Sequence, residues 1–513
     1  MRLSAAIAIG ILLLVMSASA STVRVQASPP PAPASVQVLF DLGDGFYEWT
    51  SVVIPDPVAW NATWNATLDA AADVGLWIRW SWYSFGGSGA VFITDVGNRS
   101  PPGGVGIYTW NTTSHAWDAA LVGISSLVLS NGDALALYDA GFDPVTFGNQ
   151  YPSPTPEHPH PATEFRGDFA NSGWSASSAP SGVEVLWDRN LNLREIEGTP
   201  AVAAGRVVVL TQDGLFALDE SSGAVLWSNP KVAGLSSPAL FNGTLIVGGS
   251  DGKVHGIDAT TGLERWNATL VRKPGPSGLT SSPKVVFDTV YIGVFNESGG
   301  PGEVDALWAT NGTVIWRAPA PASVSFSTPA VAEGRVFVGV IGLYNTTTGV
   351  TYAPPYGVLA LNATDGSELW FHPTSGSVAA SPVVYGGRVY AAAKDGLLNC
   401  MRSVNGSLLW SASVQAGVSS PALSGDVLYV GGGTFGGTGR VVAINVSSGA
   451  SVWTFLPNGP VQGSITRAGG EVLFSTNAAN GTLYALDAST GMALWSFTTG
   501  GWVSTKKSAS LVS

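Results

Sequence analysis

Five histidines and one cysteine are the imidazole and thiol side chains of this 513-residue chain, the types best suited to act as a neutral general base, a thiol nucleophile or a soft metal ligand. His158 and His160 stand two apart in the proline-rich run from Gln150 to Pro161. No thiol or carboxylate pattern accompanies them of the kind that fixes a metal in a tetrahedral shell, so a metal site there is disfavoured. His115, His255 and His372 fall in no nucleophile, metalloprotease or phosphate-loop motif, and His255 occupies a strand position where a structural role is expected. Cys400 excludes an intramolecular disulfide and reads as a small buried side chain. No catalytic, cofactor-binding or metal-ligating residue is assigned.

The carboxylates that recur, Asp219, Asp258, Asp365 and Asp487, belong to a phrase rather than to a site. Ala217-Leu-Asp219-Glu-Ser-Ser222-Gly223-Ala-Val-Leu-Trp227 returns at Gly256 to Trp266, Ala306 to Trp316, Ala360 to Trp370, Cys400 to Trp410, Ala443 to Trp453 and Ala485 to Trp495. A period of roughly forty residues signals one supersecondary unit copied and stacked. A full unit reads Thr199-Pro-Ala-Val202, Gly205 to Leu210, Asp213 to Asp219 and Gly223 to Trp227, four short runs bounded by Gly, Pro or Asp-Gly. That pattern predicts four antiparallel strands per unit. Ring closure of such units removes exposed sheet edges, so the expected fold is a mostly β propeller of seven or eight blades, seven of them complete. An eighth, thin blade forms if Val183 to Trp187 pairs with Val503 to Val512. The third and fourth units carry insertions, around Asn296 to Gly300 and Gly342 to Pro355, expected to lie on one face.

The phrase, clearest as Ala485-Leu-Asp487-Ala-Ser-Thr490-Gly491-Met-Ala-Leu-Trp495, resembles the tryptophan-docking motif of the quinoprotein dehydrogenase-like propeller superfamily. Phe165-Arg-Gly-Asp168 through Trp187 is similar to its lead-in segment. The resemblance implies that Trp227, Trp266, Trp316, Trp370, Trp410, Trp453 and Trp495 pack blade against blade. It also implies two functional branches: oxidases that hold pyrroloquinoline quinone and Ca²⁺, and cofactor-free protein-binding rings. The best-known alcohol-oxidising branch carries a vicinal cysteine pair, which one cysteine cannot supply. Lys and Arg total only 23, few for gripping a tricarboxylate. The cofactor-free branch is expected, with no cofactor and no metal.

Outside the repeats, Arg2 and the apolar run Ala5 to Met16 precede Ala18-Ser-Ala20, which predicts a signal peptide over 1–27. Residues 28–35 and 149–164 are proline-rich spacers, 36–148 a small α+β domain, and 165–513 the propeller. In the small domain the sequence predicts a strand over Val36 to Phe40 and a helix over Asn65 to Val74. It also predicts an aromatic strand containing Trp80 and Trp82, and a hairpin from Leu127 to Tyr138. Tyr108-Thr-Trp-Asn with Trp117 and Asn131-Gly-Asp133 resembles the C-terminal-like domain of cobalamin carriers, which implies a module able to present a ligand or partner surface.

The net charge of −12, with only 11% charged residues, argues against nucleic-acid binding. No segment is long and apolar enough to span a bilayer after the leader. Asn61, Asn65, Asn98, Asn111, Asn242, Asn267, Asn296, Asn345, Asn362 and Asn445 begin candidate glycosylation sequons, whereas Asn311, Asn405 and Asn480 read first as turn residues. The expected protein is a secreted or cell-surface interaction ring whose partner is an unidentified protein or envelope component. The alternatives are a quinone- and Ca²⁺-dependent dehydrogenase and a structural envelope glycoprotein.

Overall fold

The computed structural model describes residues 198–499 apart from 204, 242, 272–277, 287–288, 297, 348–351, 435 and 469. It also describes 170–175, 182–183, 185–189 and 191, the terminal pairs 10–11 and 511–512, and, before them, the helix and strands named below. The chain forms two compact units, Pro29–His158 and the remainder.

The first unit holds a five-stranded sheet in the order Tyr47–Ile54, Ala34–Asp41, Ala134–Tyr138, Gly106–Asn111, Ala116–Ala119. Its central pair, Ala34–Asp41 with Ala134–Tyr138, is parallel and the other pairings are antiparallel. Val36, Val38, Leu135 and Leu137 are buried at alternate positions, as one covered sheet face requires. The helix Ala62–Asp73 covers that unit's strand Tyr47–Ile54 and buries Thr63, Trp64, Thr67 and Ala70, spaced by three and four residues. It begins three residues earlier than the sequence suggested, because Thr63 and Trp64 turn inward with the rest of that stripe. Ile78–Phe85 and Ser88–Val96 form a separate hairpin. The side chains of Trp80 and Trp82, and the first arm of the hairpin expected over 127–133, lie outside the described residues.

The second unit is a propeller of seven blades, each of four antiparallel strands, and the two-residue strand Trp174–Ser175 adds a parallel fifth to the last. Blade 1 runs from Ala201 to Asn229, blade 2 from Ala239 to Thr269 and blade 3 from Lys284 to Pro319. Blade 4 runs from Ala330 to Thr374, blade 5 from Val383 to Ser413, blade 6 from Ala422 to Phe455 and blade 7 from Thr466 to Thr498. Their second and third strands are buried almost throughout, while outer strands alternate, as in Val225–Asn229. Apolar clusters fill the gaps between blades: Ile246, Leu279, Val290 and Leu307 join blades 2 and 3, and Val304, Val336 and Leu359 join blades 3 and 4.

Among the described residues no eighth blade forms, and Val503 to Ser510 lie outside them. Leu511–Val512 pairs with Gly10–Ile11 in a two-residue ladder outside the seven sheets, and no named strand of those sheets comes from the described residues around Trp187. The Trp187 side chain alone fills the place that a preceding outer strand would occupy, as shown below.

Candidate functional site

Two layers of polar bonds link successive blades, and each originates in a repeated sequence position. Nearest the axis, the inner strands of blades 1 to 6 start after a Ser/Thr-Pro step, and blade 7 has Ser464-Ile465 in its place. The Thr199 amide donates to Ser237 Oγ (2.8 Å), Ser237 to Ser282 Oγ (2.8 Å), Thr328 to Ser381 Oγ (2.9 Å) and Ser381 to Ser420 Oγ (2.9 Å). A blade's first amide is thus satisfied by the next blade's hydroxyl, which a buried backbone donor requires. The preceding serine acts within and across blades: Ser281 Oγ accepts from Gly293 N at 3.1 Å and donates to Ser327 O at 2.8 Å.

Farther out lies the tryptophan layer. Asp219 Oδ1 accepts the amides of Ser221 and Ser222 and both their hydroxyls, which forces a tight turn ending at Gly223 with φ +67. A Cβ there would sit 2.5 Å from Cε3 of Trp187, and the Trp187 indole N–H donates to Glu220 O at 2.8 Å. The same geometry seats Trp227 on Gly262, Trp266 on Gly312, Trp316 on Gly366, Trp370 on Gly406, Trp410 on Gly449 and Trp453 on Gly491. Indole donors reach Ala259, Ala363, Ser403, Val446 and Ala488 carbonyls at 2.8–3.1 Å, and only the buried Trp266 Nε1 has no acceptor. Trp495 packs within its own blade against Ala468, Leu473 and Ala485. Trp187, absent from the predicted set because it precedes the first repeat, serves blade 1.

The repeat acids are spent on these turns. The Arg265 guanidinium, with Thr261, holds the Asp258 carboxyl down to about 2, and the hydroxyls of Ser489 and Thr490 do the same for Asp487. Asp219 and Asp365 are likewise lowered, chiefly by serine hydroxyls. A second aromatic layer, which no repeated motif marks, backs the first: Tyr291, Phe337, Tyr390 and Tyr429 tilt against the tryptophan of their own blades at 5.8–6.0 Å. The hydroxyls of Tyr291 and Tyr429 share the Ala363 and Ala488 carbonyls with the indoles. Each of the four aromatics is the third residue of its second strand, in blades 3 to 6.

The axis itself is partly occupied by the chain. Ala170 O accepts from Val384 N of blade 5, Ser172 O from Leu423 N of blade 6, and Gly173 O from Arg467 N of blade 7, after which Trp174–Ser175 runs parallel to blade 7's inner strand. Asn171, buried and at φ +60, points Nδ2 at Thr328 O, Pro329 O and Pro382 O.

Antiparallel order puts the second-to-third-strand turns and the blade-to-blade connectors on one face. Both insertions emerge there. Leu343–Tyr344 pairs with Tyr352–Ala353, and Phe295 meets Tyr344 edge-on at 5.3 Å and Tyr352 at 6.4 Å. Ile341 and Ala379 lie beneath, with Phe326 and Val418 beside them. Asn345 is exposed beside this cluster, and Asn267 is exposed on the outer strand of blade 2. Asn296 is committed to its own loop, with Nδ2 donating to Pro301 O and Oδ1 accepting from Ser298 N. Asn362 and Asn445 accept turn amides at 2.8 and 3.1 Å, and Asn65 is exposed on the helix. Asn111 ends a strand, its side chain outside the described residues, as are Asn61, Asn98 and Asn242.

Cys400 is buried between Tyr390 and Trp410 in register, and burial pushes its thiol up to about 12. His372 lies half-buried in blade 4's outer strand opposite Val358, and His115, His158 and His160 are outside the described residues. Among the described residues no three His, Cys, Asp or Glu side chains gather as metal ligands do.

A family model described as "Outer membrane protein assembly factor BamB" matches residues 174–339, 300–433 and 400–512, a span that takes in all seven blades. The chain belongs to this family. It is similar to the outer membrane protein assembly factor BamB of Yersinia pestis, 25% identical over 267 residues that cover 48% of this chain and 61% of that protein. It is also similar to the BamB of Legionella pneumophila, 30% identical over 204 residues covering 38% of this chain and 47% of that protein. The chain thus spans about half to three-fifths of the length of these relatives. In fold it matches the quinohemoprotein alcohol dehydrogenase of Comamonas testosteroni, with a TM-score of 0.56 and 17% identity over 66% of this chain and 73% of that one. This places it among the PQQ-like repeat propellers.

The quinone and Ca²⁺ of the enzymatic members of this fold do not fit the residues described. The recurrent acids are bonded into their own turns, and part of the axial wall is lined by 170–175. A vicinal disulfide beside a quinone needs a second cysteine.

Proposed function

We propose that this protein is a non-enzymatic interaction ring of the cell envelope, exported by a cleaved leader over 1–27 and binding a protein or envelope partner through the face that carries the two insertions. The observation that supports it is the packing of Phe295, Tyr344 and Tyr352, which breaks the repeat on one face while the rest of the ring repeats itself for closure. Aromatic side chains gathered on loops over a rigid scaffold are the usual material of recognition surfaces. The small domain serves as a second binding head, and exposed Asn345 and Asn267 are the sequons best presented for glycans.

The test is capture from envelope extracts of the producing organism with the full chain and with its Tyr344→Ala, Tyr352→Ala double variant. Retention of a partner by the wild type, reduced about tenfold or more in the variant, is the expected result. Dye-linked dehydrogenase activity after reconstitution with quinone and Ca²⁺ would overturn the reading.

A further inference from the structure

We propose that His255 is a proton-operated clamp on the turn that ties blades 1, 2 and 3 together on the insertion-bearing face. The inference rests on geometry within blade 2 and not on the interaction role proposed above.

The His255 side chain is 5% exposed, and both ring nitrogens face carboxylates: Nδ1 lies 2.7 Å from Glu264 Oε1 and Nε2 3.0 Å from Asp251 Oδ1. A neutral imidazole has one N–H and one lone pair, so it can donate to only one of them. The other contact then sets a lone pair against an anionic oxygen. The doubly protonated ring satisfies both and supplies the positive charge between two negative groups. Among the described residues of the elements around the ring, the charged groups facing it are Asp251 and Glu264, with Lys253 Nζ reaching the second oxygen of Asp251 at 3.6 Å.

What the clamp holds is a junction. Asp251 sits in the turn Gly249–Gly252, whose backbone bonds to the connectors on either side. Ser250 N donates to Ala233 O of the blade 1–2 connector at 2.7 Å. Leu279 N donates to Gly249 O, and Leu270 and Val271 N to Gly252 O, all within the blade 2–3 connector at 2.9–3.0 Å. A Cβ at Gly249 would lie 2.5 Å from Asp251 Oδ1 and 2.9 Å from His255 Nε2, so the backbone is closed down onto the pair. Loss of the second proton pushes Asp251 off the ring and loosens the turn that both connectors depend on.

The experiment is hydrogen exchange on the full chain at about pH 5 and about pH 8, corrected for intrinsic rates, following the amides of 249–253, 270 and 271. The wild type is expected to lose about tenfold protection at these amides on going to the higher pH. The Asp251→Asn variant is expected to stay protected at both, because a carboxamide can donate to the neutral ring's lone pair. Protection in the wild type that does not change with pH, or a pH dependence that survives in Asp251→Asn, would overturn the proposal.

Discussion

At the scale of single residues, blades differ most where a third strand faces the preceding blade. Phe216, His255, Asp305, Leu359, Asn399 and Tyr484 occupy that position in six of the blades. Asp305 is the least comfortable of them: fully buried, neither carboxylate oxygen hydrogen-bonded, and its nearest cation, Arg317 Nη1, 3.7 Å away. Desolvation drives its carboxyl up to about 7, with Arg317 opposing and Glu303 adding to the rise. The folded state therefore keeps a proton that the unfolded chain releases above the usual 3.8. Stability from this group is full below that value and declines as pH climbs to about 7, beyond which the loss is constant. Asp305→Asn removes the decline. Chemical denaturation at about pH 8 is expected to show the variant more stable by up to roughly 2–4 kcal/mol, the gain shrinking toward pH 4. An equal effect at both pH values would contradict the assignment.

At the scale of the element, the unit that does the work is the turn plus its visiting indole. Gly491 has φ +72 and would bring a Cβ within 2.6 Å of the Trp453 ring, so alanine meets both backbone strain and a clash with a side chain fixed on two sides. Gly491→Ala is expected to cost about 2–4 kcal/mol in thermal or denaturant unfolding. Gly425→Ala, at φ +56 with open space around it, should cost only the backbone part, about 1 kcal/mol. Equal losses in the two variants would show that the indole is not what makes the docking glycine obligatory. The repeated phrase made these turns legible because its Asp, Gly and Trp each answer a local need. Trp187 was not legible as a docking residue: no Asp-Gly turn of its own precedes it, and only the Gly223 turn, 33 residues on from Trp187 to Glu220, reveals its place.

At the scale of the whole molecule, the segment 170–175 acts as an internal strap across blades 4 to 7. One buried amide, Asn171 Nδ2, meets carbonyls of two blades at 3.1–3.3 Å. Asn171→Ala leaves those carbonyls short of a donor and replaces a side chain that tolerates positive φ by one that does not. It is expected to lower stability by about 2–3 kcal/mol while leaving the small domain's own unfolding unchanged. Calorimetry resolving the two units distinguishes this from a general loss.

The sequence by itself determined the blade: four short strands, a turn that needs Asp and Gly, and a tryptophan, all specified within about forty residues by periodicity, turn chemistry and side-chain shape. It also marked where the repeat is broken. Only the tertiary structure decided that the ring has seven blades, that Trp187 rather than Trp495 seats on blade 1, and that residues 170–175 line the axis. It alone brought the hydroxyl of Ser237 to Thr199 and the ring of His255 between two carboxylates. The reason is one of range. Interactions inside a unit are set by neighbours in sequence, whereas closure, axial packing and the charge around a buried side chain depend on segments that meet only when the ring is complete.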